Sequence, residues 1–338
     1  MAAKAEQLPK TKALPKAFIW RRLHSLSGLW LVLFLVEHLV TNSQAALLLG
    51  HSGEGFIRMV NLIHNLPYLT VIEVALLGIP IAIHLVWGIK YALTSKPNST
   101  KSDGSKPHLK YSRNRAYTWQ RITSWILVVL LLFHVVKFRF LEYPHSVSAG
   151  ANPTYFVKVT MDPGLYTVAQ RLDVKLYDGK ALDQMRASEG SNRSGEALQS
   201  AAKRIREDAG RGYSAQDGMI LQSAQDYQER RDLTEALTSM QLKQGEVIAT
   251  SSMFGTASLL TVRDTFKSPV WVAVYTVFVL SACFHAFNGL WTSMLTWGWV
   301  VRSAAQTRAR KGAITLMFVI AALGLAAVWG TYFWNLKH

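Results

Sequence analysis

The chain has 338 residues, half of them hydrophobic and only 17% charged, yet its formal net charge is +16. A soluble domain has about a quarter of its residues charged, so this balance excludes most soluble enzymes and disordered tails, and a single cysteine excludes a disulfide-stapled secreted domain. Segment 141–267 holds 16 acids and 15 bases, leaving a net +17 for the rest; those bases flank apolar runs instead of forming one stripe, which excludes a nucleic-acid binder and leaves an integral membrane protein.

Five runs are long enough to cross a hydrocarbon core, which takes about 20 apolar residues at about 1.5 Å rise. In chain order they are predicted at Leu23–Leu48, Tyr68–Leu93, Thr118–Phe140, Pro269–Thr296 and Ala313–Phe333. In lipid each must be helical, because only a helix satisfies its own backbone groups within one segment. Trp20, Trp119, Trp297, Trp299 and Trp334 fall near the ends, where amphipathic rings favour the interface. The first run lacks a small-residue cleavage site and contains Glu37, His38 and Asn42, unlike the core of a signal peptide, so it is expected to stay in the mature protein. The expected fold class is all-α integral membrane, with a four-helix core, a fifth helix and a long extracytoplasmic insertion between helices three and four. Its parts are 1–140 (N-terminal segment and helices one to three), 141–267 (insertion) and 268–338 (helices four and five).

Charge sets the orientation. Lys4, Lys10, Lys12, Lys16, Arg21 and Arg22 precede the first span against Glu6 alone. Lys96, Lys101, Lys106, Lys110, Arg113, Arg115 and Arg121 follow the second against Asp103, and Arg302, Arg308, Arg310 and Lys311 follow the fourth with no acid. A five-span count puts all three groups on one side, which the positive-inside rule makes cytoplasmic. The N-terminus is then inside, with His338 and segment 141–267 outside. That segment reads as mixed structure, extended at Tyr155–Thr160 and helical around Gly195–Asp208 and Gln216–Gln244, with charges four apart on solvated faces. It has no metal spacing, phosphate loop or nucleophile motif, so a structural or docking role is expected for it.

The ten histidines are the most informative feature. His51, His64, His108, His145 and His338 fall in loops or at the C-terminus, and His24 at the inner start of helix one. His38, His84, His134 and His285 lie one in each of the first four helices. A single one could be a satisfied packing histidine, but polar groups in lipid are costly and face the bundle interior. By helical rise, His38 and His134 stand about 24 Å above the inner surface, and His84 and His285 about 6–9 Å above it. Two level pairs result, roughly 15 Å apart along the membrane normal. One imidazole from each of two facing helices is what a six-coordinate haem iron takes, and filling both axial positions leaves electron transfer as the chemistry. Zinc or copper would gather three or four ligands at one depth; a proton relay would use a single chain of Asp, Glu and His. There is no Cys-x-x-Cys-His, so the expected cofactors are two non-covalent b-type haems, the inner iron on His84 and His285 and the outer on His38 and His134.

Several nearby residues admit two readings. Pro80, four before His84, frees a backbone carbonyl beneath the ligand or serves as a packing kink. Gly28, Gly78, Gly88 and Gly289 let either a flat macrocycle or a neighbouring helix approach closely. His24, Ser25 and Arg121 stand at the inner mouth, as haem propionate contacts or as interface anchors. Glu37 points about 100° away from His38, as a neutral, hydrogen-bonded carboxyl or as a proton donor to a quinone.

The stretches FIWRRLHSLSGLWLVLFLVEHLVTN, NLPYLTVIEVALLGIPIAIHLVWGIKYAL, WQRITSWILVVLLLFHVVKFR and FHAFNGLWTSMLTWG resemble the cytochrome b membrane anchor of succinate dehydrogenase, of the single-polypeptide, five-helix, di-haem type shared with some fumarate reductases. The likeness covers all five spans in the family's order. It implies that His38, His84, His134 and His285 occupy the four haem-ligand positions, in the pairing that depth gives. It further implies a flavoprotein carrying FAD and an iron–sulfur subunit bound on the cytoplasmic face of a bacterial inner (plasma) membrane. Electrons would pass between those subunits and a membrane quinone, in succinate oxidation or fumarate reduction, with the quinone beside the outer haem and no complete dicarboxylate site in this chain. The family's connection between helices three and four is short, so segment 141–267 is a departure, expected to carry an extra partner, altered quinone access or an oligomer contact. SLLTVRDTFKSPVW resembles the family's lead-in to helix four. A di-haem subunit of another quinone-linked complex, of hydrogenase or formate dehydrogenase type, differs in the soluble subunits that co-purify. A proton-shuttling transporter, or an anchor without haem, differs in being colourless.

Overall fold

The computed structural model describes residues 14–46, 52–96, 98–101, 108–149, 152–190, 193–208, 210 and 212–334. Lys4, Glu6, Lys10, Lys12, His51, Asp103, Lys106 and His338 lie outside the described residues. In chain order the first elements are α1 (Lys16–Ser43, ending in a 3-10 turn at Gln44–Ala46), α2 (Glu54–His64), α3 (Leu69–Glu73), α4 (Ile79–Thr94) and α5 (Ser112–Val135). The insertion contributes β1 (His145–Ala149), β2 (Asn152–Thr160), α6 (Pro163–Arg171), β3 (Lys175–Tyr177), α7 (Gly179–Gly190), α8 (Arg193–Glu207), α9 (Ala215–Ser239), β4 (Glu246–Ser251) and α10 (Phe254–Thr265). The chain closes with α11 (Pro269–Thr296), α12 (Ser303–Leu325) and α13 (Thr331–Trp334).

Five continuous helical stretches of 31, 26, 30, 28 and 32 residues are long and apolar enough to span a membrane. Their surfaces carry exposed apolar side chains: Leu76 is 49% exposed, Leu132 66% and Phe318 66%, exposures that suit lipid and would be penalised in water. Three of the stretches contain a π-helical turn, at Val74–Gly78, Val136–Leu141 and Ala326–Gly330. The first has a clear cause. Pro80 has no N–H to give the carbonyl four residues earlier, and the indole N–H of Trp30 donates to that carbonyl, Leu76 O, in its place.

The chain forms two compact units. One comprises the chain up to Glu37, Thr70–Val128 and Ser281–Phe318. Within it, Arg22 Nη1 donates to Thr296 O at 2.6 Å and lies over the Trp297 ring at 4.6 Å.

The other unit comprises His38–Leu69, Val129–Leu280 and the chain from Val319. It contains the one correction to the all-α expectation: the insertion is built on a four-stranded antiparallel sheet of order β1-β2-β4-β3. Successive side chains of a strand point to opposite faces, and both faces here are covered. Val157, Val159, Val247 and Ala249 pack with Leu165 and Val168 of α6, Leu259 and Leu260 of α10, and Phe56 and Ile57 of α2. Phe156 and Ile248, on the opposite face, pack with Leu182 of α7 and Leu237 of α9. The edges are short, β1 with five residues and β3 with three, which limits unpaired backbone.

An ion-pair network ties the end of β2 to α10. Arg263, 1% exposed, donates two 2.8 Å bonds to the Asp162 carboxylate. Lys267 Nζ reaches Asp162 at 2.6 Å and Asp264 at 2.8 Å. Asp162 also caps α6, accepting from Gly164 N at 2.9 Å. Burial alone would raise the Asp162 carboxyl, but bonds from Arg263 and Lys267 and their charges hold it well below the usual carboxylate range. Close packing of α2 on α10 depends on Gly255, where a Cβ would lie 2.5 Å from Ile57 O.

Candidate functional site

Four half-buried intramembrane histidines meet in two pairs. In the first unit the rings of His84 and His285 have centroids 6.2 Å apart and planes crossed at 83°. In the second, His38 and His134 stand 5.8 Å apart, also at 83°. A metal–imidazole bond of about 2 Å on each side of an ion places two ring centroids about 6 Å apart, so both separations would suit two imidazoles bound to one ion.

The remaining ring nitrogens are engaged. His84 Nδ1 lies 3.2 Å from His24 O, and His285 Nδ1 3.3 Å from Gln120 O. Only a protonated Nδ1 can donate to a carbonyl, which leaves Nε2 as the lone-pair nitrogen at both residues. His134 Nδ1 lies 3.1 Å from the Tyr275 hydroxyl. Asn42 Nδ2, which donates to His38 O at 2.8 Å, is 3.5 Å from His38 Nδ1. The three oxygen partners can accept from Nδ1–H and so fix the tautomer and orientation that a metal-binding histidine needs, whereas the Asn42 amide nitrogen is itself a donor and sets no such tautomer at His38.

Local structure explains the positions of His84 and His285. A Cβ on Gly28 would come within 2.8 Å of His84 Cε1, so α1 must present glycine for the imidazole to fit. Gly78, Gly88 and Gly289 leave their nearest neighbours at 3.9, 3.5 and 3.7 Å, ordinary contact that makes no such demand. Gln120, absent from the sequence-based candidates, clamps His285. Its carbonyl accepts from the ring, its Nε2 donates to His285 O at 3.0 Å, and its Oε1 accepts from Asn288 Nδ2 at 2.7 Å. A carboxamide within an apolar span was the available signal, masked by the neighbouring Trp119 and Arg121, which read as interfacial residues.

The other sequence-based candidates divide between the first pair's surroundings and positions away from it. His24 stacks on His84 at 4.2 Å and 12°, and its Nδ1 is buried without a hydrogen-bond partner. Tyr91 meets the His24 ring edge-on at 5.4 Å, and Tyr91 O accepts from Arg121 Nη2 at 3.4 Å. Ser25 Oγ instead accepts from Trp297 Nε1 at 3.0 Å. Glu37 is exposed.

Around the second pair, Phe138, Tyr275 and Phe278 enclose His134 with centroids 5.3–5.8 Å away. Lys137, only 7% exposed, pairs with Glu142 and lies 5.0 Å from the Trp271 ring centroid. Gly324 admits close packing in the same unit, since a Cβ there would lie 2.8 Å from Val279 and 3.2 Å from Leu39.

Among the described residues no three or more His, Cys, Asp or Glu gather as a metal-binding group. Each pair could offer two imidazoles to an ion that brings its other ligands with it, as a haem iron does with its four pyrrole nitrogens. No family model matches the chain, and no solved structure matches it. The chain is similar to the succinate dehydrogenase cytochrome b558 subunit of Bacillus subtilis (strain 168), 32% identical over 125 residues that make up 37% of this chain and 56% of that relative, so the match spans a little over half of the relative's length.

Proposed function

We propose that this protein is the membrane-anchor cytochrome b subunit of a succinate:quinone oxidoreductase, carrying electrons between an iron–sulfur subunit and membrane quinone. The observation that carries this reading is the pair of crossed imidazole couples, 5.8 and 6.2 Å between centroids, together with the similarity to a cytochrome b558 subunit. His84 and His285 hold the inner haem b, and His38 and His134 the outer. When bound, a bis-imidazole haem supplies a one-electron carrier with no open iron position. The chain's own part is to orient the ligands. The His24 and Gln120 carbonyls hold His84 and His285 through Nδ1, and lipid-facing helices keep water away.

The unpartnered Nδ1 of His24, with Arg121 nearby through Tyr91, supports these two residues as propionate contacts of the inner haem. Ser25 is a weaker third, since Trp297 already engages its hydroxyl. Basic loops on the cytoplasmic side of a bacterial inner membrane dock a flavoprotein with FAD and an iron–sulfur subunit. The parts are 1–140, 141–267 and 268–338, with the middle one on the outer face as a further partner or oligomer surface.

The test is a reduced-minus-oxidised spectrum with haem quantitation on the purified full chain and its co-purifying subunits. Two b-haems per chain are expected, and His84→Ala should remove one and leave the other. A colourless protein after haem supplementation, or His84→Ala with both haems intact, refutes the reading.

A further inference from the structure

We infer that Tyr275 is a positioning residue for His134, setting through one hydrogen bond how strongly that imidazole donates to iron; the inference rests on the bis-imidazole reading above. A neutral imidazole that gives Nε2 to a metal keeps its proton on Nδ1, so at the 3.1 Å contact Nδ1–H donates and the phenol oxygen accepts. Outer partners of this kind raise ligand basicity, and their loss typically changes metal affinity about 10–100-fold.

The hydroxyl is held where it is. Tyr275 is 7% exposed, and its ring is crossed by Phe138, Phe266, Trp271 and Phe278 at centroid distances of 6.2, 5.2, 6.4 and 5.9 Å. Interplanar angles of 65–88° make these edge-to-face contacts, which favour one ring orientation. The oxygen cannot swing away from His134 without repacking these rings. At His84 and His285 the corresponding acceptors are backbone carbonyls, which no substitution deletes. At His134 the acceptor is a side-chain hydroxyl, and Tyr275→Phe removes it while keeping the ring.

The test compares wild type, Tyr275→Phe and Phe133→Leu as full-length proteins with their co-purifying subunits. Phe133, next to His134 in α5, packs on Trp271 at 5.3 Å, so Phe133→Leu loosens the same region one ring removed from Tyr275 and spares the hydroxyl. Haem content and the midpoint potential of each haem are read by spectroscopic redox titration. With the acceptor gone the imidazole donates less and ferric iron is held less well. One haem of Tyr275→Phe should therefore shift positive by about tenfold in its oxidised-to-reduced ratio, about 59 mV for a one-electron couple. Phe133→Leu should leave that potential in place. Loss of one haem from Tyr275→Phe, with both kept in Phe133→Leu, would support the same assignment. Unshifted potentials in Tyr275→Phe, or an equal shift in Phe133→Leu, overturn it and leave the two haems standing. A wild-type protein without haem overturns both readings.

Discussion

Replacing Gly28 with alanine tests the fit of His84 directly. The added Cβ would sit 2.8 Å from His84 Cε1 and 3.1 Å from Nδ1, where ordinary contact begins near 3.4 Å, so the ring must retreat by roughly 0.6 Å. An unrestrained imidazole would swing aside at little cost. His84 is restrained by its stack on His24 at 4.2 Å and by its bond to the His24 carbonyl at 3.2 Å. Overpacking of this kind costs about 1–3 kcal/mol. Alanine also gains about 1 kcal/mol of helix propensity over glycine, but that gain is the same with and without haem and cancels in the binding equilibrium. The ring displacement does not cancel, because the empty site relaxes and the filled one must bring the imidazole back. Affinity at this site should fall about 5- to 140-fold, from about 1.4 kcal/mol per factor of ten. The assay is haem titration of purified apoprotein, with Gly88→Ala as control, since a Cβ there lies 3.5 Å from His24 Cε1. Wild-type affinity for two haems in Gly28→Ala would refute the reasoning.

Two further outcomes are expected. Imidazole planes crossed at 83° in both pairs would leave the π-interacting orbitals of a ferric iron held between them nearly degenerate, so the proposed haems should give highly anisotropic low-spin EPR signals; rhombic signals typical of parallel planes would contradict the geometry. Asp162→Asn leaves the Arg263 guanidinium, 1% exposed, without its carboxylate, and should destabilise the insertion towards the low end of about 3–5 kcal/mol, because Asp162 itself is 20% exposed. The sign in pH follows from the lowered Asp162 carboxyl: its stabilisation is complete above about pH 4, the ordinary aspartate value, and is lost as pH falls through the lower folded-state value. Hydrogen exchange of β2 and α10 in wild type and Asp162→Asn checks both statements, and equal protection in the two would contradict them.

The spans were legible because lipid imposes one rule on every residue of a crossing segment. The expected run Pro269–Thr296 coincides with α11, and the histidine pairing follows from helical rise alone. The insertion follows another rule. Helices around Gly195–Asp208 and Gln216–Gln244 were visible from charges four apart and emerge as α8 and α9, the latter opened by a capping box of Ser214 and Asp217. The strand at Tyr155–Thr160 was visible but is longer, Asn152–Thr160. β4 was hidden because five of its six residues are buried, which erases the in–out alternation that marks a half-buried strand. β3, three residues long, is too short for any period. Among the glycines, composition could not separate Gly28 from Gly78, Gly88 and Gly289, because what distinguishes it is the His84 ring packed against it, 56 residues away in sequence.

The two histidine pairs are held by different means, and this decides how each can be altered. At His84 and His285 the Nδ1 acceptors belong to the main chain, so their bonds persist through any side-chain change at His24 or Gln120. Access to that pair runs through shape, at Gly28, and through the Gln120 carboxamide that braces His285 from Asn288. At His134 the partner is the Tyr275 hydroxyl, so that pair can be tuned by a single atom with its packing intact. A carbonyl is also the stronger acceptor of the two kinds, so the first pair is built from imidazoles richer in electrons than His134. Substitutions near the first pair should therefore act on whether haem binds, and those near the second on the potential at which it is reduced.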